Sequence, residues 1–113
     1  MARRRLRARV LGGVAFGIVA GAALGGGIAL AADHAVAISG FSFSPRELTV
    51  AVGDTVTWTN SDAQAHTATA DDGSFDTGDL DRGDAKGITL DEPGTYSYYC
   101  RFHPFMKATV EVQ

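Results

Sequence analysis

The chain after residue 31 predicts an all-β fold, because short segments alternate apolar with polar residues and turn-forming residues stand between them. The alternation is clearest in residues 56–60, 96–100 and 108–112, while Gly53-Asp54 and residues 91–94 supply turn signals. No segment of this part of the chain has a convincing helical period. Short strands that each bury one face pack as two sheets, so we expect a Greek-key β-sandwich after an N-terminal signal segment.

The predicted strands each place one set of alternating residues on a common face. The turn at Gly53-Asp54 separates the first two of them, and Trp58 is expected in the core. The alternation also brings Cys100 to the interior at the end of its strand. Along the chain, the shared faces are formed by Val50 and Val52; Val56, Trp58 and Asn60; Ile88 and Leu90; Tyr96, Tyr98 and Cys100; Ala108, Val110 and Val112.

The first 31 residues predict a signal peptide. Five arginines lie among the first nine residues, residues 10–32 carry no charge, and Ala29-Leu30-Ala31 is a small-x-small pattern of the kind that signal peptidases cleave. We therefore expect export to a periplasmic or other extracytoplasmic compartment. The alternative is an uncleaved anchor, because residues 10–32 as a helix would reach about 35 Å, enough to span a bilayer. Membrane association is expected only if this segment is retained.

Residues 32–113 are expected to form one domain and to act as a monomer. This part of the chain has five basic residues against thirteen acidic ones, a net charge of −8. A strongly acidic domain excludes nucleic acid as a partner and favours a protein with a complementary surface. Six of the acids are aspartates between positions 71 and 84, and they predict a solvated acidic loop.

Cys100, His103 and Met106 stand three residues apart, and Cys100 is the only cysteine in the chain. A thiolate, an imidazole and a thioether are soft or borderline donors, and a thiolate with two imidazoles and a weak axial Met makes an electron-transfer copper site. For this composition, His and Met at those two positions would occur by chance about once in 2,000 cases. His66 is the expected second imidazole. The sequence therefore predicts a copper site formed by His66, Cys100, His103 and Met106.

Two segments resemble the cupredoxin family, and within it the amicyanin- and plastocyanin-like members. They are residues 94–112, which hold the Cys-x2-His-Pro-Phe-Met run, and residues 38–60. The resemblance implies one type 1 copper ion and a carrier of single electrons between redox partners, not an enzyme. It also implies that partners dock at the exposed edge of His103, where Phe102, Pro104 and Phe105 form an apolar collar.

The resemblance also implies hydrogen bonds to the sulfur of Cys100. The backbone N–H groups of Thr67 and Phe102 are the expected donors. Thr67 stands where this family often has Asn, so a side-chain contact between the two ligand loops is expected to be altered. A rival function is a copper-binding or copper-delivery protein of the cell envelope that uses the same fold without a redox partner. A third class is an adhesive sandwich module in which Cys100 has no metal role.

His34 is the one histidine outside the predicted copper site. Cleavage after Ala31 would leave Ala32-Asp33-His34 at the N-terminus, where an amine, two amides and an imidazole suit Cu(II). The competing expectation is a histidine in a disordered tail. We expect the second of these.

Overall fold

The structure is a computed structural model that describes residues 30–113. The predicted signal peptide (1–31) and the alternative anchor (10–32) lie almost wholly outside the described residues and stay predictions. Within residues 30–113, no helix is long and apolar enough to cross a membrane. This part of the chain folds into eight β-strands: β1 (Asp33–Ser39), β2 (Ser42–Ser44), β3 (Glu47–Val50), β4 (Thr55–Asn60), β5 (Thr69–Ala70), β6 (Ala85–Thr89), β7 (Gly94–Tyr99) and β8 (Lys107–Val112).

The strands form two four-stranded sheets, in the orders β2-β1-β4-β6 and β3-β8-β7-β5. In the first sheet β1 is parallel to β4, and the other pairs are antiparallel. In the second sheet β3 is parallel to β8, and β7 pairs antiparallel with both β8 and β5. The chain changes sheets at each of the five connections from β2 to β7, which is how a sandwich of this kind is built. The predicted all-β sandwich is confirmed.

The core lies between the sheets and follows the predicted period of two. Every residue of the predicted faces is buried except Ile88 and Tyr96, which are half-buried, and Val52, which is exposed. The prediction for Val52 was wrong because β3 ends at Val50 and Val52 lies in the turn before β4. Trp58 is completely buried; its ring stacks on Phe75 with centroids 5.4 Å apart and meets Tyr98 edge-on at 5.4 Å. Burial raises the pKa of Tyr98 to about 12, so its hydroxyl stays neutral at physiological pH. Trp58 thus belongs to the core, as expected.

Three connections meet at one end of the sandwich. β1 and β4 are parallel, and their pairing places Ile38 opposite Asn60. The turn after β1 and the loop after β4 therefore begin at the same edge of the sheet. β7 and β8 pair Tyr99 with Lys107, so the 100–106 loop joins them there. The parallel pairing of β1 with β4 therefore determines which loops are neighbours at this end.

The opposite end is held together by the buried carboxylate of Asp54. Its Oδ1 accepts the Ala32 N–H at 2.9 Å, and its Oδ2 accepts the Ala51 N–H at 2.9 Å and contacts His34 Nε2 at 2.9 Å. His34 lies in β1 opposite Val56. The expectation of a disordered tail histidine was therefore wrong, because Asp54 supplies a partner for the ring. The Ala32 N–H and the His34 imidazole both contact Asp54. The alternative of a Cu(II) site at Ala32-Asp33-His34, which needs cleavage after Ala31, stays a prediction.

Burial alone would raise the pKa of Asp54, but hydrogen bonds from Ala32, Ala51 and His34 outweigh it and leave the pKa below its ordinary value. A carboxyl with a depressed folded-state pKa stabilises the fold above its unfolded pKa, and this stabilisation is lost as the pH falls through the folded value.

We expect Asp54→Asn to cost about 2 kcal/mol of unfolding free energy at pH 7, because an amide cannot accept all three contacts. The difference from the wild type should shrink in acid, below the folded pKa of Asp54. Urea unfolding at pH 7 and at a series of acid pH values measures both effects. Asp33→Asn, on the exposed face of β1, removes the same charge as a control. An equal loss for both variants would contradict the structural role of Asp54.

Candidate metal centre

The 100–106 loop consists of two successive turns that explain the three-residue spacing of its donors. The His103 N–H donates to the Cys100 carbonyl at 3.2 Å, and the Met106 N–H donates to the His103 carbonyl at 2.8 Å. The Cys100 N–H then donates to the Met106 carbonyl at 3.1 Å, which closes the loop onto itself. Pro104 follows His103 at the turn position that proline favours. Cys100, His103 and Met106 therefore lie at the corners of a compact, hydrogen-bonded loop.

His66 comes from the loop after β4, and Asn60 fastens that loop. The Asn60 Nδ2 group donates to the carbonyls of Gln64 and Leu80, each at 2.8 Å, while its Oδ1 accepts the Asp62 N–H at 2.9 Å. His66 itself exchanges two backbone hydrogen bonds with Leu80, at 3.0 and 2.8 Å. The ring of His66 is completely buried, in a segment with little freedom to move.

Three of the predicted donors converge. Cys100 Sγ lies 3.6 Å from Nδ1 of His66 and 3.6 Å from Nδ1 of His103, and the two Nδ1 atoms are 3.2 Å apart. A point equidistant from these atoms is about 2.0 Å from each, close to the ~2.0–2.1 Å that imidazole nitrogen makes with a first-row divalent ion such as Zn²⁺. One thiolate and two imidazoles in a triangle are the donor set of a type 1 copper site. The residues present therefore fit copper.

Asp62 determines which nitrogen of His66 faces the triangle. Its Oδ2 is 2.9 Å from His66 Nε2, and a carboxylate at that distance requires an N–H donor. The proton on Nε2 leaves the Nδ1 lone pair directed at Cys100. The Phe41 N–H lowers the pKa of Asp62 most; burial opposes this, and the Gly40 N–H and His66 add to the lowering. Asp62 is therefore an anionic acceptor at neutral pH.

Thr67 joins the two ligand loops through its backbone and its side chain. Its N–H donates to Cys100 Sγ at 3.4 Å, as predicted. Its hydroxyl accepts the Arg101 N–H at 2.9 Å and also contacts Thr69 Oγ1 at 2.9 Å. We expected the side-chain contact between the two ligand loops to be altered, because Thr replaces Asn here. The Thr67 hydroxyl makes this contact instead. The prediction that the Phe102 N–H also donates to this sulfur was wrong: within residues 30–113, the Thr67 N–H is the backbone donor to it.

Met106 is almost completely buried and belongs to the same buried cluster as Cys100. Its backbone closes the loop on Cys100, as described above. These observations place Met106 beside the donor triangle, and its role as an axial ligand stays a prediction.

An apolar surface surrounds the half-buried edge of His103. Phe102 and Phe105 are 49% and 70% exposed, as the predicted collar requires. Sequence reasoning missed Phe41, which is 37% exposed and meets the rings of His66 and His103 edge-on, with centroids 5.0 and 4.8 Å away. The one feature of the sequence that could have indicated this role is the position of Phe41: a large apolar residue directly after Gly40, in a turn between two short strands.

The acidic loop is solvated as predicted, since all six of its aspartates are exposed. Two of them also pair with the ligand loop. Arg101 lies 3.6 Å from a carboxylate oxygen of Asp76 and 3.2 Å from one of Asp79. These pairs are partly exposed, so each contributes little to stability.

Comparison with known proteins agrees with this geometry. The family model for copper-binding proteins of the plastocyanin/azurin family matches residues 31–113. Amicyanin from Paracoccus denitrificans is 37% identical over 94 residues, covering 73% of this chain and 68% of that protein. Chloroplastic plastocyanin from Hordeum vulgare is 31% identical over 102 residues, covering 79% of this chain and 66% of that protein. The structure of an oxidised amicyanin variant superposes with a TM-score of 0.66 at 34% identity, covering 71% of this chain and 81% of that one.

The sandwich, the converging thiol and imidazoles, and these similarities lead to one conclusion. The chain belongs to the plastocyanin/azurin family of copper-binding proteins, the cupredoxins, and its cofactor is one type 1 copper ion that serves electron transfer.

Proposed function

We propose that this chain is an exported carrier of single electrons between partner proteins, with His66, Cys100, His103 and Met106 as its copper ligands. The observation that carries the proposal is the triangle of donors 3.2 to 3.6 Å apart, which is assembled in the fold without any contribution from a partner chain. Bound copper would alternate between Cu(II) and Cu(I), and the protein's task is to keep the donors in place during that change.

Burial of the donors supports a carrier over a catalyst. Cys100 and His66 are completely buried, and His103 is half-buried with one edge toward the surface. Electrons therefore have a short route through His103, while a substrate has no place beside the thiolate. The rings of Phe41, Phe102 and Phe105 around that edge offer an apolar docking area for a redox partner, and Pro104 is exposed among them.

The alternative function, copper delivery in the cell envelope, would favour a labile and exposed site. Complete burial of two donors and the closed turns of the 100–106 loop favour retention of the metal. The two functions separate in one experiment on the Cu(I) protein. A carrier should exchange electrons with its own Cu(II) form quickly and release Cu(I) to a competing chelator slowly. Fast release with slow exchange would support delivery instead.

We expect Cys100→Ser to abolish the intense blue absorption of the Cu(II) protein and its reversible redox couple. The hydroxyl is a hard and barely ionised donor, whereas this site needs a soft anionic one. Visible spectroscopy and voltammetry check the result. His34→Ala should leave the blue band unchanged, because His34 lies at the opposite end of the sandwich beside Asp54. An intensely blue Cys100→Ser protein would show that the thiolate is not a ligand.

We expect Phe105→Glu to slow electron self-exchange by about tenfold while leaving the visible spectrum nearly unchanged, because two copies would then bring like charges together at the docking area. NMR line broadening in mixtures of the oxidised and reduced protein measures this rate. Val52→Glu adds the same charge at an exposed apolar residue near the other end of β8. If both variants slow exchange equally, net charge is responsible and the docking area lies elsewhere.

Substitutions of Met106 should move the reduction potential in opposite directions. Met106→Gln replaces a weak thioether by a harder oxygen donor that favours Cu(II), so the potential should fall. Met106→Leu removes the axial donor, so the potential should rise. Voltammetry of the two variants against the wild type decides the question. A Met106→Leu protein with a potential at or below that of the wild type would exclude Met106 as an axial ligand.

A further inference from the structure

The carboxylate of Asp62 contacts two separate segments at the site end of the sandwich. Its Oδ1 accepts the Gly40 N–H at 2.8 Å, and its Oδ2 accepts the Phe41 N–H at 2.9 Å and contacts His66 Nε2 at 2.9 Å. Gly40 and Phe41 form the turn between β1 and β2, whereas His66 lies in the loop after β4. One side chain therefore connects the turn that carries Phe41 to the buried imidazole.

The turn needs such an acceptor. Gly40 and Phe41 are the two central residues of a two-residue hairpin, with φ of 62° and 58°. Hairpins of this type favour Asn-Gly or Gly-Gly at these positions, because a side chain is crowded at positive φ. Phe41 is the one non-glycine residue with positive φ in the part of the chain that the structure describes. Holding a bulky residue there costs roughly 1–2 kcal/mol, which hydrogen bonds from both N–H groups to Asp62 offset.

The conformation has a consequence for the metal centre. It places the Phe41 ring edge-on against His66 and His103, with interplanar angles of 85° and 77°, and stacks it on Phe105 at 6.5 Å. The ring thus covers both imidazoles on the solvent side. A glycine at this position would relieve the turn but leave the imidazoles uncovered.

We propose that Asp62 is a positioning residue that fixes the metal-binding tautomer of His66 and holds Phe41 as a cover over the two imidazoles. The first role follows from its contact with Nε2, and the second from its contacts with the turn. The inference rests on the proposed ligands His66 and His103, but both roles also exist in the metal-free protein. They are therefore testable before any copper is added.

The first test uses metal-free protein and ¹⁵N NMR of the imidazole rings. In the wild type, His66 should carry its proton on Nε2 alone. In Asp62→Asn, the amide cannot accept from Gly40, Phe41 and His66 together, so His66 should show a mixture of tautomers and the Gly40 and Phe41 amides should exchange with solvent at least about tenfold faster. Asp72→Asn is the matched control, because Asp72 is an exposed carboxylate that accepts the Ser74 N–H. The control should change none of these signals.

The second test measures copper release to a chelator. Loss of a group that orients a metal-binding histidine typically costs about 10–100-fold in metal affinity, so Asp62→Asn should release copper faster by a similar factor. Phe41→Gly should also speed release, but should keep the His66 tautomer of the wild type. We also compare the variant that carries both Asp62→Asn and Phe41→Gly. If Asp62 acts partly through Phe41, the release rate of this double variant should rise by less than the product of the two single-variant increases.

The outcomes separate this inference from the proposed function. An unchanged His66 tautomer in Asp62→Asn, with copper release within twofold of the wild type, would overturn the positioning role while the blue site remained. A wild-type His66 protonated on Nδ1 would overturn it without any variant, should Asp62→Asn fail to fold. A wild type that lacks a blue site but shows the expected tautomer would refute the proposed function and leave the role of Asp62 intact.

Discussion

The metal centre depends on the contact between Thr67 and the segment that begins at Cys100. One residue donates its N–H to the sulfur at 3.4 Å and accepts the Arg101 N–H on its hydroxyl at 2.9 Å. The two loops are more than thirty positions apart in the chain, and each carries part of the donor triangle. The segment after His66 enters β5, which pairs with β7 and sets Thr69 opposite Tyr99, and the Thr67 contacts extend this pairing to the thiolate. The sulfur's hydrogen bond also lowers its electron density, which favours Cu(I) over Cu(II).

The two carboxylate networks, of buried Asp54 and half-buried Asp62, lie at opposite ends of the sandwich. Asp54 ties the start of β1 to the turn before β4, and Asp62 ties the end of β1 to the loop after β4. Both networks therefore secure the parallel pairing of β1 with β4. A parallel pair has no hairpin to set its register, so contacts at its ends are an effective way to define it. The pairing in turn determines that Phe41 and His66 are neighbours.

The sequence pattern predicted those features that depend on residues close together in the chain, namely the inward faces of strands and the spacing of donors in turns. The alternation of Val56, Trp58 and Asn60 gave their inward face, and the spacing of Cys100, His103 and Met106 reflects two consecutive turns. The contacts of Asp62 with Phe41 and of His34 with Asp54 were not predictable in this way, because they join positions about twenty residues apart through the register of β1 on β4. The expected Phe102 donor was wrong for a related reason. The orientation of a backbone N–H in a turn depends on dihedral angles that residue type alone does not determine.

The fold itself brings one thiol and two imidazoles within 3.2 to 3.6 Å of one another, as a preformed copper site requires. A titration of the metal-free protein with Cu(II), followed by visible absorption and electron paramagnetic resonance, tests it most directly. We expect an intense blue thiolate-to-copper band that grows linearly and stops at one equivalent, with a single type 1 copper signal. A weak absorption typical of nitrogen and oxygen ligands, or binding that continues well beyond one equivalent without the blue band, would contradict it.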